Sequence, residues 1–567
     1  MNLILKNLLL SLIFFLLLLA WWSSLTIGLS SDEYFHHING LVRFEFLKTL
    51  GEFKGFKYRN NEFYPGLYDT LSYALGQLIL VINKNFYANN IDVVMHAVNM
   101  MFSSFSILGL YLLTKKIFNQ KIALIASLLT LLNPFFFGHM GMNSKDIIVF
   151  FSFIWFFYYF FLYCTEKENI SKNLILSSLF LGFGCGVRLT FLVVIFPVIV
   201  SGFFYLFRKF GFNFSFLFKR LLPHILVAFF VTLFLVILCW PHIIVEINKG
   251  NFFEFLSLVI KNTINWNDGP KIGLINGEFY EVFNTPKSYF LSVIIYRLPF
   301  YFTLLLVISY ILFFLKKMSA QNEIKNFRYK FILINSISFF PILLALILGV
   351  NIYDNLRLFL FILPLLSIVA ALSLTQLIDN FNNSFKIKVS LTFLIIIFSM
   401  SFYRFILLTP YQYTYVNFSY PNLNESVDKF EQDYWGTTYK ELVENLGKKY
   451  SKEEIQKFKI ADCFGGDSTL LYYLNKKFGV KKLYNIDKRP LEATHIVLTN
   501  RSFLNVINNP SVKGLVNKKG QMLLKDMEKV VRSENVKTTC FNEYAGTDEV
   551  IVSRSGTPLS ILRRLNK

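Results

Sequence analysis

Long apolar segments recur along most of the chain, and they limit the possible folds more than any other feature. About eleven of them approach the length that an α-helix needs to cross a lipid bilayer. We place these spans at about 8–28, 93–113, 122–137, 147–163, 173–187, 190–207, 222–240, 290–315, 331–349, 357–376 and 389–408. Hydrophobic residues make up 54% of the chain and charged residues only 16%, which a soluble domain of this size would not show. The sequence therefore predicts a mainly α-helical, polytopic membrane protein.

Basic residues in the predicted loops indicate how the chain crosses the membrane. Five loops contain at least two Lys or Arg residues each, and all five fall on one side of the predicted bundle. The three short loops on the other side carry one cation each, namely Lys145, Arg188 and Arg357. Because basic loops favour the cytoplasm, we expect a cytoplasmic N-terminus. The first apolar run is longer than that of a usual signal peptide and contains Trp21-Trp22 in place of a small-residue cleavage site, so we expect an uncleaved first span. The loops 29–92 and 241–289 are then extracytosolic.

The composition changes after the last predicted span and indicates a chain of two parts. We expect a transmembrane domain over residues 1–408 and an extracytosolic C-terminal domain over residues 409–567. In the second part, a helical pattern at Thr438–Tyr450 alternates with short apolar runs at 496–498 and 550–552. This alternation predicts a small mixed α/β domain.

Two further expectations follow from the predicted topology. The stretch Pro65–Ile82 is apolar, yet if it crossed the membrane every later basic loop would face outward. We therefore predict that it forms an amphipathic helix along the outer membrane surface. Cys463 and Cys540 can form a disulfide if their domain is extracytosolic, because disulfides persist in oxidising compartments.

The stretch after the first span brings two carboxylates and two imidazoles to the mouth of a membrane helix, at Asp32, Glu33, His36 and His37. Ionisable groups at a membrane are costly and mark either function or a buried pair. One carboxylate can act as a general base while the other orients it, and the histidines can orient a substrate. The alternative is a solvated helix cap. No cofactor is certain, but these four side chains can hold a divalent metal, although their spacing is not diagnostic of one.

The lone cations Lys145, Arg188 and Arg357 each suit an anionic ligand such as phosphate. In the alternative interpretation, Lys145 pairs with the adjacent Asp146, and Arg357 pairs with Asp354 three residues earlier. Asn143 or Ser144 can cap the helix that follows. The same turns supply further candidates for substrate binding: His139, Asp146, Tyr353 and Asp354.

Aromatic residues beside a carboxylate are a third kind of candidate. Asp433 and Trp435 lie close together in the C-terminal part, after the aromatic string Tyr411–Tyr415. Aromatic rings beside carboxylates are typical of sugar sites, because the apolar face of a sugar stacks on a ring. Aromatic residues next to a membrane also act as interfacial anchors, and we weigh both interpretations for the string.

These segments together resemble the GT-C glycosyltransferases, and more narrowly family 39, which includes protein O-mannosyltransferases and bacterial aminoarabinose transferases. The resemblance covers about residues 1–440 and rests on four segments: Ser31–Glu33, Asn143–Ile147, Tyr353–Phe359 and Asp433–Thr437. In three positions the chain departs from the related sequences: Ser144 replaces Pro, Asn355 replaces Gly and Leu358 replaces His. None of these departures removes a charge.

The resemblance implies a donor that is a sugar on a polyprenyl phosphate in the bilayer, and an acceptor that is a glycan, lipid or protein. Asp32 would deprotonate the acceptor, Glu33 would orient either the acceptor or Asp32, and attack would invert the anomeric carbon. The three lone cations would bind the donor phosphate. The resemblance to bacterial sequences favours a bacterial inner membrane. Two alternatives are a ligase or oligosaccharyltransferase that uses a diphosphate-linked glycan, and a transporter of lipid-linked sugars; nucleic-acid binding is not expected.

Overall fold

The computed structural model describes residues 3–49, 51, 61–166, 168–211, 217–264, 270–320, 324–381, 385–463, 467–486, 492–504, 527–532 and 536–566. Within these ranges, eight helices are long and apolar enough to cross a membrane. They are Leu3–Thr26, Ile91–Ile117, Asp146–Thr165, Phe191–Phe210, Leu222–Cys239, Phe327–Leu348, Ile362–Asp379 and Phe385–Leu407. The chain is an integral membrane protein of mainly helical fold, as predicted.

The span count is lower than the predicted number of about eleven, although every predicted span coincides with helix. The segments 122–137 and 173–187 form shorter apolar helices, Gln120–Leu131 and Ile170–Cys185. The segment 290–315 forms two helices, Tyr289–Arg297 and Phe300–Phe314, which are bent by 116° and make a ninth span if counted together. Pro299 separates these two helices, because proline forces the residue before it out of helical conformation.

The helices differ in how much of their surface other helices cover. In Ile362–Asp379, 67% of the spanning window is buried inside the protein, whereas in Leu222–Cys239 only 11% is buried. The second helix exposes Phe229, Phe230 and Phe234. Such a surface fits a lipid environment, where exposed apolar side chains carry no hydration penalty. Ile362–Asp379 is therefore a central helix of the bundle, and Leu222–Cys239 is a peripheral one.

The loops on the C-terminal-domain side contain their own secondary structure. The first of them forms the helices Ser31–Lys48, Leu67–Ile82, Lys84–Asn89 and a preceding 3₁₀ turn Asn61–Phe63. The second forms the helices Pro241–Asn248 and Phe252–Ile264 and a hairpin of β1 (Ile272–Ile275) and β2 (Glu278–Glu281). The hairpin turn consists of Asn276 and Gly277, whose φ angles of +52° and +85° suit a tight two-residue connection.

The C-terminal part is mixed α/β, and the predicted elements are present in it. Its four-stranded sheet has the order β3 (Ile460–Asp462), β4 (His495–Thr499), β8 (Thr557–Leu565) and β7 (Gly546–Arg554). A two-stranded sheet pairs β5 (Ser502–Leu504) with β6 (Lys537–Thr539). The helices are Tyr439–Lys449, Lys452–Lys457, Asp467–Phe478, Met527–Arg532 and Cys540–Glu543. Strands β3 and β4 run parallel, and the other pairs are antiparallel.

A disulfide ties the end of β3 to the end of β6. Cys463 and Cys540 are bonded, with Cα atoms 5.9 Å apart and a sequence separation of 77 residues. The sequence allowed this pairing. The bond closes the segment that carries β4, β5 and the helix Asp467–Phe478 into one covalent loop.

The C-terminal part packs directly on the first loop of the membrane part. The Gly28 N–H donates to the carbonyl of Thr437 at 2.9 Å, and the Ser31 N–H donates to that of Trp435 at 3.0 Å. A Cβ on Gly28 would lie 2.8 Å from the Thr437 carbonyl oxygen, so this approach requires glycine. Buried Asp92 adds an ion pair with Lys440 at 2.9 Å. The start of the helix Ser31–Lys48 is therefore fixed against the C-terminal part.

Candidate functional site

The turns that carry Lys145 and Arg357, the start of the first-loop helix and Trp435 of the C-terminal part meet at one pocket. It has a volume of about 250 Å³, part of it open to solvent. Its walls are formed by Ser30, Asp32, His139, Met142, Asn143, Ser144, Lys145, Arg357 and Trp435. Four segments that lie far apart in the sequence thus contribute to one site, and five of the lining residues are sequence-predicted candidates: Asp32, His139, Lys145, Arg357 and Trp435.

Arg357 is the electrostatic centre of the pocket. The guanidinium lies 3.6 Å from the carboxylate of Asp354, 3.8 Å from that of Asp146 and 3.9 Å from that of Asp32. These are the closest N–O distances, and each is longer than a direct hydrogen bond. The Tyr353 hydroxyl accepts a hydrogen bond from Nη2 at 3.1 Å, and the Trp435 ring lies 4.3 Å below the guanidinium carbon. The predicted pairing of Arg357 with Asp354 is present, but Arg357 is shared among several carboxylates.

The backbone that carries Asp354 is unusual. Asp354 and Asn355 have φ angles of +54° and +58°, in the left-handed region that Asn and Asp tolerate better than most residues. This explains how Asn355 stands where related sequences have glycine. Non-glycine residues in this region are strained and cluster at functional sites. The Trp435 Nε1–H donates to the Asp354 carboxylate at 2.8 Å and closes this turn against the C-terminal part.

Asp146 and Arg188 form a direct pair at the side of the pocket. The distance between Asp146 Oδ1 and Arg188 Nη1 is 2.9 Å, and the Asn143 side chain donates to Asp146 Oδ2 at 3.0 Å. Asn143 Oδ1 in turn accepts the N–H groups of Lys145 and Asp146, at 3.2 and 2.9 Å, so it satisfies the first N–H of the helix that begins at Asp146, although Lys145 occupies the N-cap position. The partner of Asp146 is therefore Arg188 and not the neighbouring Lys145.

Lys145 has no carboxylate within 4.0 Å among the residues that the structure describes. Its ammonium group lies 5.3 Å from the centre of the Tyr64 ring, a cation–π distance. Burial lowers the pKa of Lys145, and the nearby Asp32 partly opposes that effect. A lysine that faces a pocket without a direct ion pair suits an anionic ligand.

Asp32 is the carboxylate that faces the pocket. About half of its side-chain surface is exposed, at 49%, against 4% for Asp146 and Asp354. Burial alone would raise the pKa of Asp32, but Lys145 and Arg357 outweigh it and hold this pKa below its ordinary value. Asp32 is thus ionised, accessible and next to the cations, as a general base requires.

The other residues of the acidic first-loop stretch point elsewhere. Glu33 is fully buried, where its carboxylate accepts from the Ser30 N–H at 2.7 Å and contacts His96 Nε2 at 3.0 Å. His36 lies 2.8 Å from Asp69, and His37 Nδ1 lies 3.2 Å from the Tyr87 hydroxyl. None of the three lines the pocket. They fix the helix on which Asp32 stands.

A metal site at this stretch does not fit the geometry. Glu33, His36 and His37 each have a different partner and do not converge on Asp32. Among the described ranges, no group of three or more His, Cys, Asp or Glu side chains is arranged to hold a metal ion.

Asp433 is buried beside the pocket and organises the backbone that carries Trp435. It accepts hydrogen bonds from the N–H groups of Thr437 and Thr438, at 3.2 and 3.1 Å, and from the Tyr413 hydroxyl. Burial raises the pKa of Asp433. Tyr411, Tyr413 and Tyr415 are all buried against the protein, so this string is a packing element and not an exposed membrane anchor.

Sequence reasoning missed several residues that complete the site. His96 and Asn99 hold Glu33 from a membrane helix, and Tyr64 faces Lys145. Arg501 in the C-terminal part donates to the Tyr434 hydroxyl at 2.9 Å, next to Trp435. Isolated polar residues such as His96 and Asn99 within an apolar span were the available signal, because buried polar groups need partners.

Comparison with known proteins shows similarity to a family of glycosyltransferases over part of the chain. Residues 79–240 match the sequence model of the family described as dolichyl-phosphate-mannose-protein mannosyltransferase. No curated protein matches the chain.

Solved structures match over much more of the chain. Apo ArnT from Cupriavidus metallidurans is 11% identical, with a TM-score of 0.50, and the match covers 98% of each chain. ArnT from the same organism bound to undecaprenyl phosphate is 10% identical, with a TM-score of 0.48 and 98% coverage of each chain. The apo oligosaccharyltransferase of Archaeoglobus fulgidus is 12% identical, with a TM-score of 0.46, and the match covers 88% of this chain and 70% of that one.

The match to apo ArnT shows the fold of the chain from its first helix to its C-terminal sheet. The family model covers a shorter region, which includes the turn with Lys145 and Asp146 and the turn with Arg188. Together, these comparisons show that the chain is similar to the dolichyl-phosphate-mannose-protein mannosyltransferase family over residues 79–240 and shares the fold of apo ArnT.

Proposed function

We propose that the chain transfers a sugar from a polyprenyl phosphate to an acceptor hydroxyl or phosphate on the extracytosolic face of the membrane. The observation that carries this proposal is the single pocket in which the Asp32 carboxylate faces two cations, Lys145 and Arg357. A carboxylate suits the activation of an acceptor, and cations suit the phosphate that departs. The description of the matched family, which names dolichyl phosphate mannose, supports this class of donor.

In the proposed reaction, Asp32 takes the proton of the acceptor group. The acceptor oxygen forms a bond to the anomeric carbon from the face opposite the phosphate, so the configuration inverts. The bond between the anomeric carbon and the phosphate oxygen breaks, and its electron pair stays on the polyprenyl phosphate. Lys145 and Arg357 offset the charge that grows on this leaving group, which needs no strong general acid because it is already an anion.

The remaining charged residues position these groups. Arg188 pairs with Asp146, which also lies near Arg357, so Arg188 contributes positive charge at the edge of the phosphate site and holds Asp146 in place. Glu33 orients Asp32 indirectly, because it anchors the first turn of the helix Ser31–Lys48 through Ser30 and His96. Tyr353 and Asp354 orient Arg357 from its own turn.

The orientation in the membrane is part of the proposal. Basic loops on one side and the pocket on the other favour an extracytosolic pocket. The disulfide between Cys463 and Cys540 supports the same orientation, since the C-terminal part that carries it also forms a wall of the pocket. Chemistry on that face suits a lipid-linked donor, because nucleotide sugars remain in the cytosol. We place the protein in a bacterial inner membrane.

The test uses purified full-length protein in lipid nanodiscs with a panel of undecaprenyl-phosphate pentoses and hexoses. Release of free undecaprenyl phosphate is measured for the wild type and for Asp32→Asn, with and without candidate acceptors. We expect release by the wild type and at least a hundredfold slower release by the variant. The matched control is Glu45→Gln, a carboxylate on the same helix that pairs with Lys48 outside the pocket.

Three outcomes would overturn the proposal. If Asp32→Asn releases undecaprenyl phosphate as fast as the wild type, the reaction does not depend on this pocket. Binding of diphosphate-linked glycans but of no monophosphate donor would favour the ligase, and transmembrane movement of the lipid-linked sugar without bond cleavage would favour transport.

A further inference from the structure

His139 is a buried imidazole in the pocket that has no polar partner in the described part of the chain. The residue is 1% exposed, and neither Nδ1 nor Nε2 makes a hydrogen bond within that part. A buried polar group without a partner costs free energy, and native structures retain few of them without a reason. His139 nevertheless lines the pocket beside Lys145 and Arg357.

The ring of His139 is held in place by packing. It meets the Phe135 ring edge-on at a centroid distance of 4.5 Å, and it lies 6.0 Å from the Tyr413 ring. The adjacent Gly138 lets the helix approach the Tyr413 backbone, since a Cβ there would lie 2.1 Å from the Tyr413 nitrogen. The Tyr413 hydroxyl is already bonded to Asp433 and Thr437. A rigid ring with both nitrogens unpaired is preorganised for a ligand.

The environment keeps the imidazole neutral. Burial, reinforced by the positive charge of Arg357, lowers the pKa of His139 to about 3. A neutral imidazole has one nitrogen that donates and one that accepts a hydrogen bond. It therefore suits a hydroxyl group, which also donates and accepts, better than it suits a phosphate, which only accepts and is already matched by cations.

The position of His139 favours the donor over the acceptor as the source of that hydroxyl. His139 and Lys145 lie on the same turn, so a group bound to His139 is close to the proposed phosphate position. The Asp32 side chain is half exposed at the open side, whereas His139 is enclosed. This arrangement leaves the open side to an acceptor and the enclosed part to a sugar attached to the phosphate.

We propose that His139 hydrogen-bonds a hydroxyl of the donor sugar and thereby lets the pocket distinguish a sugar-bearing polyprenyl phosphate from the free polyprenyl phosphate. This inference rests on the proposed function and names one residue that recognises the sugar itself. The cations bind the phosphate that both lipids share, and His139 hydrogen-bonds the sugar, which only the donor lipid carries.

The test compares the affinities of two lipids for the full-length protein in nanodiscs. The probes are undecaprenyl phosphate and the undecaprenyl-phosphate pentose or hexose that the wild type binds most tightly. For His139→Phe we expect about tenfold weaker binding of the sugar lipid and less than a twofold change for undecaprenyl phosphate. His139→Gln, which keeps a donor and an acceptor, should recover part of the loss. His224→Phe is the control and should change neither affinity, because His224 lies in the first turn of the helix Leu222–Cys239, contacts the Tyr163 hydroxyl and does not line the pocket.

Thermal unfolding separates recognition from a structural role. Because His139→Phe removes an unpaired polar group and preserves a ring, its melting temperature should equal or exceed that of the wild type. The inference is overturned by equal weakening of both lipids, by unchanged affinities, or by a change confined to the acceptor KM. If the wild type binds neither lipid, the proposed function fails first and this inference fails with it.

Discussion

The indole Nε1–H of Trp435 donates a 2.8 Å hydrogen bond to the carboxylate of Asp354, although the two residues are 81 positions apart. The same ring lies below the Arg357 guanidinium at 4.3 Å. Trp435, a side chain from the C-terminal part, thus contacts both the Asp354 carboxylate and the Arg357 guanidinium, which lie on the same turn. The pocket depends on this contact between the two parts of the chain.

Replacement of Trp435 should therefore weaken the binding of undecaprenyl phosphate, and the loss should be larger for Ala than for Phe. Trp435→Phe keeps a ring under Arg357 but leaves buried Asp354 without its donor, and we expect several-fold weaker binding of undecaprenyl phosphate. Trp435→Ala also removes the cation–π contact and should weaken binding by at least tenfold. Lipid affinity in nanodiscs measures both steps. Trp22→Phe, an exposed tryptophan of the first span, is the control. Equal affinities of the Phe and Ala variants would exclude a separate role for the ring.

Mutation of Glu33 should mainly reduce the stability of the protein, whereas mutation of the neighbouring Asp32 should mainly reduce its activity. Glu33→Ala removes a buried group that contacts His96 and the Ser30 N–H, and we expect it to destabilise the protein by roughly 3 kcal/mol. Asp32→Asn changes a half-exposed group and should shift stability by less than about 1 kcal/mol while it abolishes transfer. Thermal unfolding of the purified variants distinguishes the two. A Glu33→Ala protein as stable as the wild type would contradict its anchoring role.

The pH dependence of transfer should reveal the cations that act on Asp32. The base must be ionised, so activity falls as the pH drops through the pKa of Asp32, which Lys145 and Arg357 hold below its ordinary value. Lys145→Met removes one cation, so this pKa rises and the acid limb of kcat/KM should move to higher pH by about one unit. Lys116→Met, which breaks a distant exposed pair with Glu166, should leave the limb in place. An acid limb that stays fixed in Lys145→Met would assign it to another group.

Loss of the disulfide should destabilise the C-terminal part. The bond between Cys463 and Cys540 closes a loop with a sequence separation of 77 residues, and the chain-entropy model gives a contribution of about 4 kcal/mol for such a loop. We expect the double variant Cys463→Ala/Cys540→Ala to melt at a lower temperature than the wild type. A reductant should lower the wild-type melting temperature to that of the variant and have no effect on the variant itself. Equal melting temperatures throughout would show that the bond contributes no stability.

The sequence predicted the membrane fold well because the length of an apolar segment directly reflects the thickness of the lipid bilayer. The sequence was less informative about the surroundings of the site residues, because these depend on contacts between distant segments. Nothing local distinguishes Asp32 from Glu33, since their different surroundings come from His96 and Trp435 on other elements. The partner of Asp146 was likewise misassigned to the adjacent Lys145 in one interpretation, because Arg188 approaches only when two helices pack together.

The span count shows a different limit of sequence reasoning. Hydropathy identifies an apolar segment but does not predict a bend between two helices within it. The bend of 116° between Tyr289–Arg297 and Phe300–Phe314 depends on Pro299 and on the burial of Arg297, whose guanidinium donates to the carbonyls of Thr414 and Glu431 at 3.1 and 2.7 Å. These carbonyls belong to a segment more than a hundred residues away, so the local pattern did not reveal the bend.

The origin of the pocket walls also sets an order of assembly during biosynthesis. Asp32, Lys145 and Arg357 emerge from the ribosome well before Trp435, which follows the final membrane helix Phe385–Leu407. A nascent chain therefore contains Asp32, Lys145 and Arg357 before it contains the wall that fixes Arg357. Folding of the last part to be made completes the pocket, so a chain that ends before Trp435 lacks the wall that fixes Arg357.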